Sequence, residues 1–222
     1  MNCFTHALPF LDDALMAVAV CIPDWLSAAD RKCRARERGA TPLLDHEDPD
    51  VATIARGVIQ HHHDDDWFHR TRAFNEMSLE FAVELRDLQS TRSGMRAGLV
   101  GHIIIELFLD AYLHERHPGQ LERFYSQVES VDFEKVQQTI NLFATRPTER
   151  YTWYAGLFKS ERYIFDYSRN DGTIYRINKV LQRVGLEELD GDILKWLPGV
   201  RERVYNRAHE LLESYPPRLL NP

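Results

Sequence analysis

Seven potential metal ligands fall within nine residues, in the run HHHDDDWFH at positions 61–69. On a helix, residues four apart lie on one face, so His61 pairs with Asp65, and His62 pairs with Asp66 about 100° further round. An imidazole and a carboxylate one turn apart can bind the same divalent cation, or one can orient the other. The alternative is an exposed acidic helix with scattered histidines. We favour a metal site, because a solvated face normally carries fewer ligands.

A second polar row consists of His102, Glu106, Asp110 and His114, spaced four apart in an otherwise apolar segment. Burying an unpaired carboxylate costs several kcal/mol, so carboxylates that face a cavity need cationic partners or a metal. The row could equally be the solvated side of an amphipathic helix. The sequence leaves both interpretations open.

The remaining candidates are less distinctive. A lone histidine such as His6 is more often structural than a ligand, and an aspartate at a helix start, such as Asp24, is usually a cap. The run RKCRARER at 31–38 has five cations in eight residues. Such a run is usually a solvated helix face, but it can also receive a phosphate or an acidic partner. We take Arg31, Lys32 and Arg34 as its substrate-binding candidates.

Composition narrows the class of protein. The chain has 222 residues, 44% apolar content and a diffuse net charge of −7, which predicts one domain over residues 1–222 and argues against nucleic-acid or membrane binding. Its three cysteines form no C-x-x-C pair, which favours a reducing cytoplasm. There is no G-x-S-x-G motif, Gly-rich phosphate loop or dinucleotide fingerprint.

Helical periodicity dominates the chain, with no stretch patterned like a strand. The sequence therefore predicts an all-α, compact fold. Asp50 is expected to cap the helix that runs into the histidines, Ala40–Asp50 to be a loop, and both Ser93-Gly94 and Asn170-Asp171-Gly172 to break the chain. The other predicted helices are Ala14–Ile22, Asp24–Arg38, Thr71–Leu88, Met95–Glu115, Leu121–Val128, Phe133–Phe143, Glu149–Tyr167, Gly172–Val184 and Asp192–Ser214.

Several of these segments resemble motifs of the bacterial acyl carrier protein phosphodiesterase family, relatives of the HD-type metal phosphohydrolases. Residues 1–6, MNCFTH, resemble the family's M-N-[FY]-[LF]-A-H start, and residues 22–25, IPDW, its L-x-[AP]-D-F segment. Residues 57–65, GVIQHHHDD, follow G-[IV]-x-x-H-R-x-I-D, and residues 106–113, ELFLDAYL, resemble D-V-x-x-D-H-F-L. Residues 212–216, LESYP, are similar to its closing aromatic-Tyr-Pro. The order and spacing hold over most of the chain.

The resemblance implies an HD-like all-helical fold and a divalent-metal site that cleaves a phosphodiester. The metal is often manganese, and iron or zinc would suit the same ligands. The family's named reaction releases phosphopantetheine from a carrier-protein serine, so acyl carrier protein or a small phosphodiester is the expected partner. The ligands or their immediate supports would be His6, Asp24, His61, Asp65 and Asp110. Proton transfer to or from the activated water is assigned to His62, Asp66 and Glu106.

The chain departs from the family's motifs at four positions. His62 replaces an arginine, Asp64 a hydrophobic residue, Glu106 an aspartate and Ala111 a histidine. Since histidine is not a permanent cation, the substrate can differ while the scaffold and metal remain. The acidic net charge also disfavours an acidic carrier protein, unless residues 31–38 form its docking face.

Two other hypotheses predict different geometries. A metal-binding helical bundle of another enzyme class, such as a transferase or thiol-handling enzyme, would hold its metal mainly through three histidines. A non-catalytic binding module on the same fold would leave the candidate side chains pointing apart. The phosphohydrolase hypothesis predicts that His6, Asp24, His61 and Asp110 converge on one ion with an open coordination position.

Overall fold

The computed structural model describes residues 1–88, 96–189 and 191–213, which contain thirteen α-helices, three short 3-10 helices and no strand. The predicted all-α fold is confirmed. The break expected at Ser93-Gly94 and the motif residues Ser214, Tyr215 and Pro216 lie outside the described residues. The α-helices are α1 Cys3–Ala7, α2 Ala14–Ala19, α3 Ile22–Ala29, α4 Glu37–Ala40, α5 Pro49–Arg70, α6 Arg72–Leu88, α7 Ala97–Arg116, α8 Gln120–Ser130, α9 Phe133–Phe143, α10 Tyr151–Glu161, α11 Asn170–Val184, α12 Asp192–Asn206 and α13 Ala208–Leu211.

The chain divides into two units. The first comprises Met1–Asp66 and His117–Arg162, and the second comprises Trp67–Arg116 and Tyr163–Pro222. Each has its own core, and α5 passes from the first unit into the second at Trp67. The single domain expected over residues 1–222 stays a prediction.

Aromatic side chains hold the short N-terminal helices of the first unit in place. The ring of Trp25, on α3, packs 4.6 Å from that of Phe158 on α10, and Phe158 stacks on Tyr125 of α8 at 5.5 Å. The Trp25 indole N–H donates a hydrogen bond to Cys3 Sγ on α1 at 3.2 Å. Helices α1 and α3 are therefore tied to each other as well as to the core.

Helix α5 lies against α2 at an unusually close approach. A Cβ atom at Gly57 would lie 2.3 Å from the Cβ of Ala19 and 2.8 Å from its carbonyl carbon. Only glycine allows this distance without a shift of the α2 backbone. Val51, Ile54 and Val58 are buried in the same unit, at helical spacing before the histidine run. Asp48 accepts a hydrogen bond from the backbone N–H of Asp50 at 2.9 Å, so Asp48 rather than Asp50 caps the start of α5.

The predicted helix Asp24–Arg38 is wrong, because α3 ends at Ala29. Asp30 turns away with φ −146° and accepts two hydrogen bonds from Arg146, at 2.9 and 2.8 Å. Arg146 is the main cause that lowers the pKa of Asp30 to about 2. This charged pair and a bond from Thr148 hold the chain after α3 against the segment after α9. Residues 31–36 therefore do not form a helix face.

Other boundaries also differ from the expected ones. The helix predicted over Ala14–Ile22 ends at Ala19, and the one predicted over Asp192–Ser214 is interrupted at Arg207. The predicted helix Glu149–Tyr167 is interrupted at Arg162, whose φ of 48° ends α10 before a 3-10 helix, Tyr163–Ser168. Asn170-Asp171-Gly172 begins α11 instead of breaking the chain. Part of the expected loop Ala40–Asp50 is a 3-10 helix, Thr41–Leu43.

The second unit is built around α7, which packs along α6. Gly101 allows a close contact with α6, since a Cβ there would lie 3.3 Å from the Cβ of Phe81. Trp196 of α12 packs edge-on against Phe81 at 5.9 Å. Among the described residues, α7 alone is long and apolar enough to cross a membrane, and 61% of its apolar stretch is buried, as in a core helix.

Replacing Gly57 tests the contact between α5 and α2. We expect Gly57→Ala to destabilise the protein by about 1–3 kcal/mol, because the added methyl group collides with backbone atoms. Gly156→Ala, on α10 in the same unit, is the control: its Cβ would meet nothing within 4 Å. Helix propensity should make that variant up to about 1 kcal/mol more stable. Urea denaturation measures both, and equal effects would contradict the packing described.

Candidate metal centre

Three side chains of the first unit bring metal-binding atoms together. His6 lies on α1, and His61 and Asp65 lie one turn apart on α5. One ligand atom from each falls within 4.8 Å of the others. Both imidazoles are buried, and their rings stack with centroids 4.2 Å apart. The face of α5 predicted to pair His61 with Asp65 is therefore the face that meets α1.

The protonation of His61 follows from its hydrogen bonds. Its Nδ1 lies 2.8 Å from the backbone carbonyl of Val20, and a carbonyl can only accept, so Nδ1 carries the hydrogen. In the neutral ring, Nε2 then presents a lone pair. That atom lies 3.3 Å from Asp65 Oδ2 and 3.9 Å from Asp24 Oδ1. Two acceptors facing each other need a proton or a cation between them.

His6 repeats this arrangement from the opposite side. Its Nδ1 lies 3.3 Å from Oδ2 of the buried Asp64 and donates to that carboxylate. Its Nε2 is buried without a hydrogen bond, although it lies 3.3 Å from Asp65 Oδ1. Both imidazoles thus direct Nε2 towards one carboxylate.

The electrostatics of the cluster favour positive charge. Burial acts to lower the pKa of His6, but interactions with Asp64 and Asp65 outweigh it and raise the pKa to about 9. Burial acts to raise the pKa of Asp65, but His6 and His61 hold it well below its usual range. The α-amino group of Met1 also contacts Asp65 Oδ1, at 2.5 Å.

The donor set fits a divalent cation. Ligands about 2.0–2.2 Å from a metal at tetrahedral angles are separated by about 3.3–3.6 Å. Each Nε2 lies 3.3 Å from one oxygen of Asp65, that of His6 from Oδ1 and that of His61 from Oδ2. Nε2 of His6 makes no well-aligned hydrogen bond although Asp65 Oδ1 lies 3.3 Å away, and a cation between the two atoms would satisfy both. The second ring nitrogen of each imidazole faces a carbonyl or a carboxylate, which is the usual second partner of a metal-bound histidine.

The other predicted ligands are placed differently. Asp24 is near the group, with its side chain 36% exposed. Asp110 lies on α7 in the second unit, where it is fully buried. The structure therefore brings together His6, His61, Asp65 and Asp24, while the role predicted for Asp110 stays a prediction.

The three residues assigned to proton transfer lie in different surroundings. His62 Nε2 bonds to the Ala35 carbonyl at 2.9 Å, and Asp66 is exposed on the surface of the first unit. Glu106 lies in the second unit beside His69 and His102. None of the three belongs to the group formed by His6, His61 and Asp65.

The basic run at 31–38 is attached to the helix that carries this group. The hydrogen bond between His62 and Ala35 joins the run to α5, next to His61. Arg31 and Lys32 are exposed, whereas the guanidinium of Arg34 bonds to the Cys33 carbonyl. The run therefore presents exposed cations in the same unit as the candidate metal centre.

Sequence reasoning missed the importance of Asp64. The carboxylate is 4% exposed, and besides His6 it accepts a hydrogen bond from Gln60 Nε2 at 2.7 Å. The pattern of a glutamine one turn before an aspartate could have suggested this pair. Its partner His6 is 58 residues away and gives no local signal.

Comparison of the chain with protein-family models, with curated proteins and with solved structures found no match. The functional interpretation therefore depends on the chemistry of the site itself.

Removal of Asp64 tests its supporting role. We expect Asp64→Ala to lower the free energy of unfolding by about 1–3 kcal/mol, because it leaves the buried donor of His6 and the part-buried donor of Gln60 without their acceptor. Glu129→Ala, an exposed carboxylate on α8 of the same unit, should change it by less than about 0.5 kcal/mol. Denaturant titration with a chelator present measures the effect without metal. Equal stability of the two variants would refute this role.

Proposed function

We propose that the chain is a metal-dependent phosphohydrolase of the HD-like type, with a divalent ion held by His6, His61 and Asp65. One observation carries the proposal. The Nδ1 atoms of two imidazoles are hydrogen-bonded to other groups, and the Nε2 atoms both face the carboxylate of Asp65 at 3.3 Å. Manganese is the metal proposed, and iron or zinc would suit the same nitrogen and oxygen donors.

The exposure of the side chains supports a catalytic role over a purely structural one. The imidazoles are almost fully buried, while Asp65 is 27% and Asp24 36% exposed. The carboxylate side of the group is therefore open to solvent. Three protein ligands leave room for water and a substrate oxygen, as in catalytic metal sites. A bound divalent ion would activate water and polarise a phosphoryl oxygen.

The chain's own residues divide the remaining work. Asp64 and the Val20 carbonyl hold the two imidazoles with Nε2 directed inward. Asp24, half-exposed and 3.9 Å from His61 Nε2, would accept a proton from a water molecule beside the imidazoles. Arg31 and Lys32, joined to α5 through Ala35 and His62, supply positive charge for an anionic substrate.

The proposed substrate is a phosphodiester. The resemblance of the sequence motifs favours the phosphopantetheine link of an acyl carrier protein, and a small phosphodiester is the alternative. Carrier proteins of this kind are acidic, so the exposed cations at 31–38 are the part of this acidic chain suited to receive one.

Metal content and hydrolysis of a generic phosphodiester together test the proposal. The purified protein should contain one first-row divalent ion at His6, His61 and Asp65 and should hydrolyse bis(p-nitrophenyl) phosphate. We expect His61→Ala and His6→Ala each to lose that ion and to lower kcat/KM at least ~100-fold, more than loss of an outer partner costs. His63→Ala, on the same helix but 60% exposed, is the matched control. Unchanged metal content in His61→Ala would refute the proposal.

The carrier-protein substrate has its own test. With holo-acyl carrier protein as substrate, release of phosphopantetheine can be followed by mass spectrometry. We expect the double variant Arg31→Glu/Lys32→Glu to raise KM for the carrier protein about tenfold and to leave kcat/KM for bis(p-nitrophenyl) phosphate nearly unchanged, because only the large acidic substrate needs the docking face. Hydrolysis of the small diester without any release from the carrier protein would favour the small-molecule alternative.

A further inference from the structure

A separate group of histidine and carboxylate side chains lies in the second unit. His69 is near the end of α5, and His102 and Glu106 lie one turn apart on α7. Nε2 of His69 is 3.3 Å from Glu106 Oε1, and Nε2 of His102 is 3.0 Å from the same oxygen. One ligand atom from each residue falls within 4.8 Å of the others.

The surrounding residues hold the two imidazoles in position. Phe74 packs against both rings, 4.8 Å from His69 and 4.9 Å from His102. Asn75 Nδ2 donates a hydrogen bond to the His69 carbonyl at 2.9 Å, which fixes the end of α5 against the first turn of α6. The imidazole rings themselves lie 4.7 Å apart. Packing therefore already holds the two imidazole rings in place, and binding of an ion would not have to order them.

The distances suit a metal ion. Ligands about 2.0–2.2 Å from a metal are about 3.3–3.6 Å apart at tetrahedral angles. The Nε2 atoms of His69 and His102 lie 3.3 and 3.0 Å from Glu106 Oε1, so an ion could bind after shifts of only a few tenths of an ångström. The side chains of His69 and His102 are 33% and 37% exposed, so an ion can reach the group from solvent.

We propose that His69, His102 and Glu106 form a second divalent-cation site of the zinc class, with two nitrogens and one oxygen from the protein. Imidazole favours zinc, copper, iron and nickel over magnesium or calcium. Three protein ligands leave a coordination position for water on the exposed side. The site shares no ligand with the centre at His6, His61 and Asp65, and it does not depend on the function proposed for that centre.

Zinc titration of the full-length protein, stripped of metal with a chelator, tests this proposal. The measurement is the number of Zn²⁺ ions taken from a chromophoric competitor, checked by metal analysis after gel filtration. We expect two ions per wild-type chain, one for His69→Ala and one for His61→Ala, and none for the double variant. His102→Gln, which keeps a polar side chain of similar length, should also bind one.

The controls separate loss of a ligand from loss of the fold. His209→Ala removes an exposed histidine of the same unit outside the group and should still bind two ions. Circular dichroism and the thermal midpoint of unfolding should show that each variant is folded. If folded His69→Ala and His102→Gln bind as many ions as the wild type, the three residues form only a hydrogen-bonded group and the proposal is overturned. If His61→Ala alone keeps the wild-type number, the centre in the first unit fails while the second site stands.

Discussion

The polar interior of the first unit depends on the carboxylate of Asp65, which faces the Nε2 atoms of two buried imidazoles. The other nitrogen of each imidazole, Nδ1, is hydrogen-bonded, in His61 to the backbone carbonyl of Val20 and in His6 to Asp64. Neither ring can therefore turn its N–H towards Asp65 without leaving a buried acceptor unpaired. The lone pairs of Nε2 and of the Asp65 carboxylate therefore repel each other unless a proton or a metal ion lies between them. This constraint connects protonation, metal binding and folding in one place.

The helices that meet at this carboxylate are fixed by packing at a distance from it. Gly57 lets α5 approach the end of α2, one turn before His61, so that the imidazole reaches the carbonyl of Val20. The contact of Trp25 with Cys3 ties α3 to α1 and so places His6 and Asp24 in the same unit of structure. A small error in either contact would separate donors that must lie about 3.3 Å apart to share an ion. The precision of the site therefore comes from a close backbone approach at Gly57 and from the hydrogen bond of Trp25, both outside the group of potential ligands.

Local spacing in the sequence predicted part of this arrangement. The four-residue interval was sufficient to place His61 and Asp65 on one face of a helix, and periodicity was sufficient to predict an all-α chain. Helix ends decided by distant partners were not predictable in this way. Asp30 ends α3 by binding Arg146, 116 residues away, against a local sequence that favours continuation. The role of Asp64 was not predictable for the same reason, because its partner His6 is far away in sequence.

The character of α5 changes along a single stripe of residues. The apolar positions Val51, Ile54 and Val58 are followed at helical spacing by His61 and Asp65. The face that begins as apolar core therefore ends in side chains that could bind a metal ion. A buried apolar residue is stabilised by any close-packed neighbour, whereas a buried imidazole or carboxylate needs a partner of defined geometry. The last turns of this stripe therefore contribute less to stability per buried side chain than the first ones do. Hydrogen bonds orient the rings of His61 and His6 there, and binding an ion would require that orientation, which packing alone does not supply.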